Sequence, residues 1–127
     1  MTAWTRDELS KIGGAEEVDV AAVTRHGSIR NRVTIWLVRH GEDLFVRSVR
    51  GRAGAWFRAV QGSKDGRIWA GGLERDITFE EAGPSINAEI DAAYRSKYRR
   101  YAGRILNSVL TPQARSTTLR LVASKRR

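Results

Sequence analysis

The most pronounced apolar stretches lie in the middle of the chain, the first apolar at nearly every position and the second alternating loosely with polar residues. Residues 33–39 and 44–49 are rich in β-branched, aromatic and aliphatic side chains, and a short polar segment that contains Gly41 separates them. Two such runs on either side of a glycine turn predict a β-hairpin. The second strand should place Arg47 on the same face as Phe45 and Val49.

The remaining periodicity predicts short strands and one long helix. Short helices are expected at residues 6–13, where Thr5 and Glu8 form a capping box, and at residues 55–60. A longer helix is expected from an N-cap at Ser85 to about residue 102. Further strands are expected at residues 17–24, 67–70, 73–79 and 117–122. This pattern predicts an α+β, mainly β fold, such as a small barrel with one main helix late in the chain, in a single domain over residues 1–127.

Composition excludes several functional classes. The chain has no cysteine and only two histidines, so neither a disulfide framework nor a metal site is expected. No apolar run is long enough to span a membrane, and the first ten residues do not form a secretory signal. A cytoplasmic protein without a membrane partner is therefore expected.

The positive charge lies in two blocks. Residues 1–24, 25–58, 59–94 and 95–127 carry net charges of −3, +6, −4 and +10, which give +9 for the whole chain. Such a distribution favours anionic partners, among them a phosphorylated cofactor or a nucleic acid.

Arg47 is the sharpest candidate for chemistry. An arginine on an otherwise apolar strand must meet an anion, because burying it without a partner is too costly. The anion is either a ligand phosphate, for which the neighbouring Ser48 would add a donor, or an internal carboxylate such as Asp76 or Asp91. The tryptophans Trp36, Trp56 and Trp69 either belong to the core or stack on a flat ring at the rim of a cleft.

Two short motifs resemble known functional motifs but depart from them in spacing or context. Tyr94 and Lys97 are three residues apart, whereas the tyrosine–lysine pair of short-chain dehydrogenases needs a spacing of four. Gly51 and Gly54 match the Gly-x-x-Gly loop of KH domains, but the element before them is a predicted strand rather than a helix.

The sequence resembles a bacterial family known as domain of unknown function 2255, which has no established activity. The similarity covers nearly the whole chain. It lies in residues 34–39 (TIWLVR), residues 44–48 (LFVRS) with Gly51, residues 56–58 (WFR), Gly71-Gly72 and residues 90–98 (IDAAYRSKY).

More distantly, residues 25–32 and the segment from Ser48 to Trp56 are similar in layout to the deazaflavin-dependent nitroreductases of the FMN-binding split-barrel superfamily. That resemblance implies a small split β-barrel, often a homodimer, with the cofactor held between two groups of residues. These groups are Arg25, Ser28 and Arg32 on one side and Ser48, Gly51 and Trp56 on the other.

The leading hypothesis is thus an oxidoreductase that binds FMN or a deazaflavin and moves a hydride to or from a small organic substrate. Arg47 and Arg25 would hold phosphate, Trp36 or Trp56 would wall the ring, and Tyr94 and Lys97 would reach the mouth of the site. The catalytic residues are not identified, since the ring itself would perform the chemistry. The alternatives are a non-enzymatic nucleic-acid-binding protein and a ligand-binding barrel that has lost its flavin.

Overall fold

The computed structural model describes residues 4–124, which form seven β-strands and five α-helices. The strands are Val18–Ala22 (β1), Val33–Ile35 (β2), Leu37–His40 (β3), Asp43–Val46 (β4), Asp65–Ala70 (β5), Leu73–Glu81 (β6) and Leu119–Ala123 (β7). They pair in antiparallel fashion in the order β2-β1-β5-β6-β7-β4-β3. The helices are Arg6–Gly14 (α1), Ala55–Ser63 (α2), Asn87–Lys97 (α3), Arg104–Asn107 (α4) and Pro112–Arg115 (α5).

The two edges of the sheet meet at Trp36. Strands β2 and β3 lie at opposite ends of the strand order, yet Trp36 alone separates them in the chain. The sheet therefore curls into a nearly closed barrel, and the predicted α+β barrel is confirmed.

The prediction of one continuous strand over residues 33–39 was wrong. Ile35 pairs with Val18 of β1, whereas Leu37 pairs with Val46 of β4. Both halves of the run are apolar, so periodicity could not reveal that the chain changes partners between them. The second strand of the hairpin, β4, also ends earlier than predicted, at Val46. Beyond it the Ser48 amide donates to the side chain of Thr117 and not to the backbone of a neighbouring strand.

The long helix begins later and ends earlier than predicted. Ser85 lies in a 3₁₀ turn, Pro84–Ile86, and no side chain caps the start of α3. After Lys97 the chain continues in a second 3₁₀ turn, Arg99–Tyr101, rather than in α-helix. The capping box of α1 is confirmed, since Thr5 Oγ1 accepts from the Glu8 amide and the Glu8 carboxylate accepts from the Thr5 amide. No helix within residues 4–124 is both long enough and apolar enough to cross a membrane.

Alternate residues of the strands face two separate apolar clusters. Leu44 and Val46 of β4 belong to the barrel interior, which α1 and α2 also cover. Phe45, between them, packs on the outside of the barrel against Ile90 and Tyr94 of α3. The helix α3 is thus held on the outer face of the hairpin by a small aromatic core of its own.

Gly66 provides a test of this packing. A Cβ atom there would lie 2.3 Å from Phe79 Cε2 and 2.6 Å from the Ala21 carbonyl oxygen. We expect Gly66→Ala to lower the free energy of unfolding by about 2 kcal/mol or more, because neither neighbour can move aside without disturbing the sheet. The matched control is Gly62→Ala in α2, where a Cβ meets nothing within 4 Å. There the higher helix propensity of alanine should raise the free energy of unfolding by about 0.5–1 kcal/mol. Urea unfolding of both variants measures the contrast, and equal effects would contradict the structure at Gly66.

Candidate functional site

A cleft of about 210 Å³ opens beside the seam where the barrel closes, and we call it the indole cleft. Its walls come from the seam, from the segment after β4, from the start of α2 and from the region of α4. The lining residues are Glu17, Thr34, Ile35, Trp36, Arg47, Val49, Trp56, Ile105, Ser108 and Val109.

Two half-buried tryptophans, Trp36 and Trp56, contribute to this wall. The Trp36 ring stacks on Tyr98, with 3.9 Å between ring centroids and 5° between planes. Trp56 packs edge-on against Phe57 and at a tilt against Phe79 of the barrel interior. Each indole is therefore held in place by aromatic neighbours, while part of its surface is open to the cleft. Such a surface is suited to stacking against a flat ligand ring.

The rim of the indole cleft is unusually apolar. Val49 is 53% exposed and Ile105 is 57% exposed. Among residues 4–124, Ile29 is the only other large apolar side chain that is comparably open to solvent. Because two of three such side chains border one cleft, this surface is a candidate for contact with a ligand or a partner.

Arg47 closes the bottom of the cleft but is engaged within the protein. Its Nη1 donates to Asp91 Oδ1 (2.6 Å) and to the Val109 carbonyl (2.8 Å). Its Nε donates to Thr118 Oγ1 (2.9 Å), and its Nη2 donates to the carbonyl and to the side-chain oxygen of Asn87 (3.3 and 3.2 Å). All five N–H donors of the guanidinium are used.

The structure thus gives Arg47 the second of the two roles considered, an internal ion pair. The partner is Asp91, while Asp76 pairs with Arg67 at 2.9 Å. With its side chain wholly buried and no donor left over, Arg47 has nothing to offer a phosphate. The predicted phosphate-binding role of Arg47 is therefore corrected.

Ser48 and Gly51 shape the turn that leads into α2. The Ser48 hydroxyl donates to the Gly51 carbonyl (2.9 Å), and the Ser48 amide donates to Thr117 Oγ1 (2.8 Å). Gly51 has φ +72°, and a Cβ there would lie 3.1 Å from Gln113. Both residues are buried, so they position Trp56 rather than border the cleft.

The basic residues predicted on the other side of the cofactor do not gather in one place. Arg25 borders a second, wider cleft of about 620 Å³, which we call the basic cleft. Ser28 lies in the exposed loop beside it, where the Ser28 amide donates to Thr24 Oγ1 (3.0 Å). Arg32 instead pairs with Asp19 (3.0 Å) and covers the Trp69 ring at 4.0 Å. The lining of the basic cleft is Ala22, Val23, Thr24, Arg25, His26, Arg30, Ala59, Gly62, Ser63 and Asp65.

Tyr94 is buried and Lys97 is half-buried, and neither lies at the mouth of the indole cleft. Tyr94 is fully buried, and its hydroxyl has no hydrogen-bond partner among residues 4–124. Burial raises the pKa of Tyr94 well above its ordinary value. Lys97 Nζ donates to the Leu37 carbonyl (2.6 Å) and lies 5.1 Å from the Tyr98 ring. Neither residue borders the cleft, which corrects their predicted position.

Helix α2 connects the two clefts, and this feature was missed in the sequence. Trp56 borders the indole cleft, whereas Ala59 and Ser63 border the basic cleft. These positions are spaced i, i+3 and i+7, so they share one face of the helix. The rise along the axis of α2 is about 4.5 Å from Trp56 to Ala59 and about 10 Å from Trp56 to Ser63. The available signal was the small-residue stripe that follows Trp56.

Metal ligands are not grouped in the described part of the chain. Residues 4–124 contain no cluster of three or more histidine, aspartate and glutamate side chains that would hold a metal ion.

The half-buried Lys97 makes the stability of the protein depend on pH. Burial lowers its pKa to about 8, from an ordinary value of 10.5. Between these two values the unfolded chain binds more protons than the folded chain, so the free energy of unfolding rises with pH. From pH 7 to 9.5 we expect wild type to gain on the order of 1 kcal/mol relative to Lys97→Met. In Lys97→Arg the side chain stays charged over this pH range, so this variant should also lack the increase in the free energy of unfolding. Parallel curves for all three proteins in urea unfolding would contradict the burial of Lys97.

Solved structures with the same fold confirm the split barrel. An F420-H2-dependent reductase, FDR-A, superposes with a TM-score of 0.60 and 15% identity, covering 84% of this chain and 93% of the other. The heme storage protein HutZ from Vibrio cholerae superposes with a TM-score of 0.59 and 12% identity, covering 89% of this chain and 83% of the other. An FAD-binding protein from Mesorhizobium loti superposes with a TM-score of 0.55 and 17% identity, covering 96% of this chain and 91% of the other. At these identities the likeness establishes the fold alone.

Sequence comparison identifies the family. No curated protein matches the chain. Residues 8–121 match the family described as "Uncharacterized protein conserved in bacteria (DUF2255)", which confirms the resemblance found in the sequence. Because the match covers most of the 127 residues, the chain belongs to the DUF2255 family of bacterial proteins.

Proposed function

We propose that the protein binds FMN or a deazaflavin and acts as a small oxidoreductase. The ring would lie in the indole cleft and the anionic tail would follow α2 to the basic cleft. The observation that carries this proposal is the shared face of α2, which joins an aromatic cleft to a basic one. Split-barrel relatives that include an F420-dependent reductase and an FAD-binding protein support it.

The indole cleft suits the ring of such a cofactor. Trp36 and Trp56 offer flat apolar surface, and Val109 extends it at the base. Thr34 and Ser108 also line this cleft. Their hydroxyl groups donate to Asp19 (2.7 Å) and to the Ile105 carbonyl (2.6 Å), so they offer the ring acceptor oxygens that suit its N–H group. When bound, the flavin or deazaflavin ring would supply the hydride chemistry.

The basic cleft suits the phosphate of the tail. Arg25 and Arg30 form no ion pair with any residue that the structure describes, and both are exposed. His26 lies between them in the chain and borders the same cleft, whereas Asp65 is its one acidic lining residue. The distance of about 10 Å along α2 leaves room for a short chain between ring and phosphate.

The chain's own residues would position the ring and exclude water. Tyr98 fixes Trp36 from behind, and the exposed Val49 and Ile105 would cover the ring from outside. A cavity of about 210 Å³ is small for a whole cofactor, since ligand sites usually exceed about 300 Å³. We therefore propose that a second copy of the chain completes the cleft in a homodimer. A cytoplasmic location remains a prediction.

A nucleic-acid-binding function is the second candidate. Arg50, Arg58, Arg99 and Arg104 are exposed and form no ion pair within the described residues, so they add to the charge available for a polyanion. Such binding would weaken steeply as salt rises, with a slope set by the number of phosphates contacted.

Fluorescence titration with FMN, riboflavin and a deazaflavin tests the cofactor proposal. Quenching of tryptophan fluorescence should saturate with FMN or the deazaflavin. Trp56→Leu should weaken binding about fivefold or more, because stacking on an indole contributes on the order of 1 kcal/mol. The matched control is Trp69→Leu, since Trp69 lies outside the indole cleft.

The proposed binding of the cofactor's phosphate in the basic cleft is tested by comparing FMN with riboflavin, which lacks the phosphate. Arg25→Gln should weaken FMN binding several-fold and leave riboflavin binding unchanged. Saturable binding without turnover of any electron acceptor would favour a ligand-binding barrel over an enzyme. The absence of quenching by all three compounds at high micromolar concentration would reject the cofactor proposal.

A further inference from the structure

A third cleft, of about 280 Å³, lies on the other side of the Arg47 network, and we call it the polar cleft. It opens between the end of β6, the start of α3 and the end of α5. Nearly every side chain that borders it carries nitrogen or oxygen. The lining residues are Arg52, Glu81, Gly83, Pro84, Asn87, Arg115, Ser116 and Thr118.

The base of the polar cleft has one carboxylate for two guanidinium groups. Asp91 Oδ1 pairs with Arg47 (2.6 Å), and Asp91 Oδ2 lies 3.1 Å from Arg115 Nε. The Asp91 side chain is only 11% exposed, and that of Arg47 is not exposed at all. Since arginine stays charged in proteins, the cluster keeps a net charge of about +1. This charge is carried by Arg115, which is 39% exposed at the cleft.

Arg115 has donors that the protein does not use. Its guanidinium makes no hydrogen bond to any residue of the described chain, although the ion pair with Asp91 holds it in place. Its Nε is shielded from solvent and still lacks an acceptor, because the contact with Asp91 is poorly aligned. A buried donor without an acceptor is unfavourable unless something else satisfies it.

Asn87 adds further donors of fixed orientation. Its side-chain oxygen accepts from Arg47 Nη2 (3.2 Å) and from the Thr118 hydroxyl (2.8 Å). The amide nitrogen must therefore face the opposite way, and it donates to no residue within the described range. The polar cleft thus combines excess positive charge with N–H groups that lack acceptors.

The one carboxylate in the wall does not cancel this charge. Both oxygens of Glu81 accept from Arg52, at 3.3 and 2.9 Å, and Gln61 donates to one of them at 3.2 Å. Arg52 holds the pKa of Glu81 below its usual range. Glu81 and Arg52 therefore form a neutral pair, and Arg115 remains the uncompensated charge.

We propose that the polar cleft binds a small oxyanion, a phosphate or carboxylate group, between Arg115 and the Asn87 amide. An oxyanion supplies the negative charge and the acceptor oxygens that this arrangement lacks. The volume of about 280 Å³ admits a group of this size. The site is distinct from the indole and basic clefts, and the inference does not depend on the proposed cofactor.

Thermal unfolding in increasing inorganic phosphate, with ionic strength held constant by chloride, tests this site. Phosphate should raise the Tm of the wild type to a plateau, because it binds the folded state. A parallel series with acetate distinguishes the chemistry. A plateau with phosphate alone assigns the site to phosphate groups, and a plateau with both extends it to carboxylates.

Arg115→Gln should weaken the apparent affinity at least tenfold, because a charge-assisted contact is lost. Arg115→Lys keeps the charge without the planar fork and should have an intermediate effect. Arg99→Gln, at an exposed position outside the polar cleft, should keep the wild-type response. The proposal is overturned if neither anion gives a plateau, or if Arg115→Gln retains the wild-type plateau.

Discussion

The charge of Arg47 must be paired inside the protein, and much of the fold serves that requirement. Its partners come from three places: Asn87 and Asp91 on α3, Val109 after α4, and Thr118 just before β7. Leaving a buried charge without its partner costs several kcal/mol, a large part of the stability of a small domain. The barrel, α3 and the C-terminal strand are therefore held in one mutual arrangement.

The same residue links the clefts. Arg47 closes the bottom of the indole cleft. Its Nη2 also donates to the side-chain oxygen of Asn87, and this hydrogen bond turns the Asn87 amide nitrogen toward the polar cleft. The walls of the indole cleft are fixed in a similar way, because Trp36 joins the two sheet edges and stacks on Tyr98. Both candidate sites thus have a firm base, while the rim at Val49 and Ile105 is open to solvent. A rigid base beneath an open rim is what a binding site requires.

The sequence predicted most elements because their signals are local. Thr5 and Glu8 cap α1 within one turn, and glycine turns bound the strands. The break at Trp36 escaped prediction because it depends on which distant strand each half of the run pairs with. Arg47 was singled out from its apolar surroundings, but its partner lies 44 residues away and only the fold selects Asp91. Tyr94 and Lys97 lie within the predicted late helix, yet the sequence pattern alone cannot tell whether their side chains end in the protein interior or at the mouth of a cleft.

Whether Arg47 belongs to the framework rather than to a ligand site is tested most directly by urea unfolding of Asp91→Asn. This change keeps the shape of the side chain and removes its charge. It should lower the free energy of unfolding by about 3 kcal/mol or more. Glu80→Gln, which removes an exposed carboxylate 3.6 Å from Arg120, is the matched control and should cost less than about 1 kcal/mol. If Asp91→Asn is as mild as the control, Arg47 does not depend on Asp91, and its charge would be open to a ligand phosphate after all.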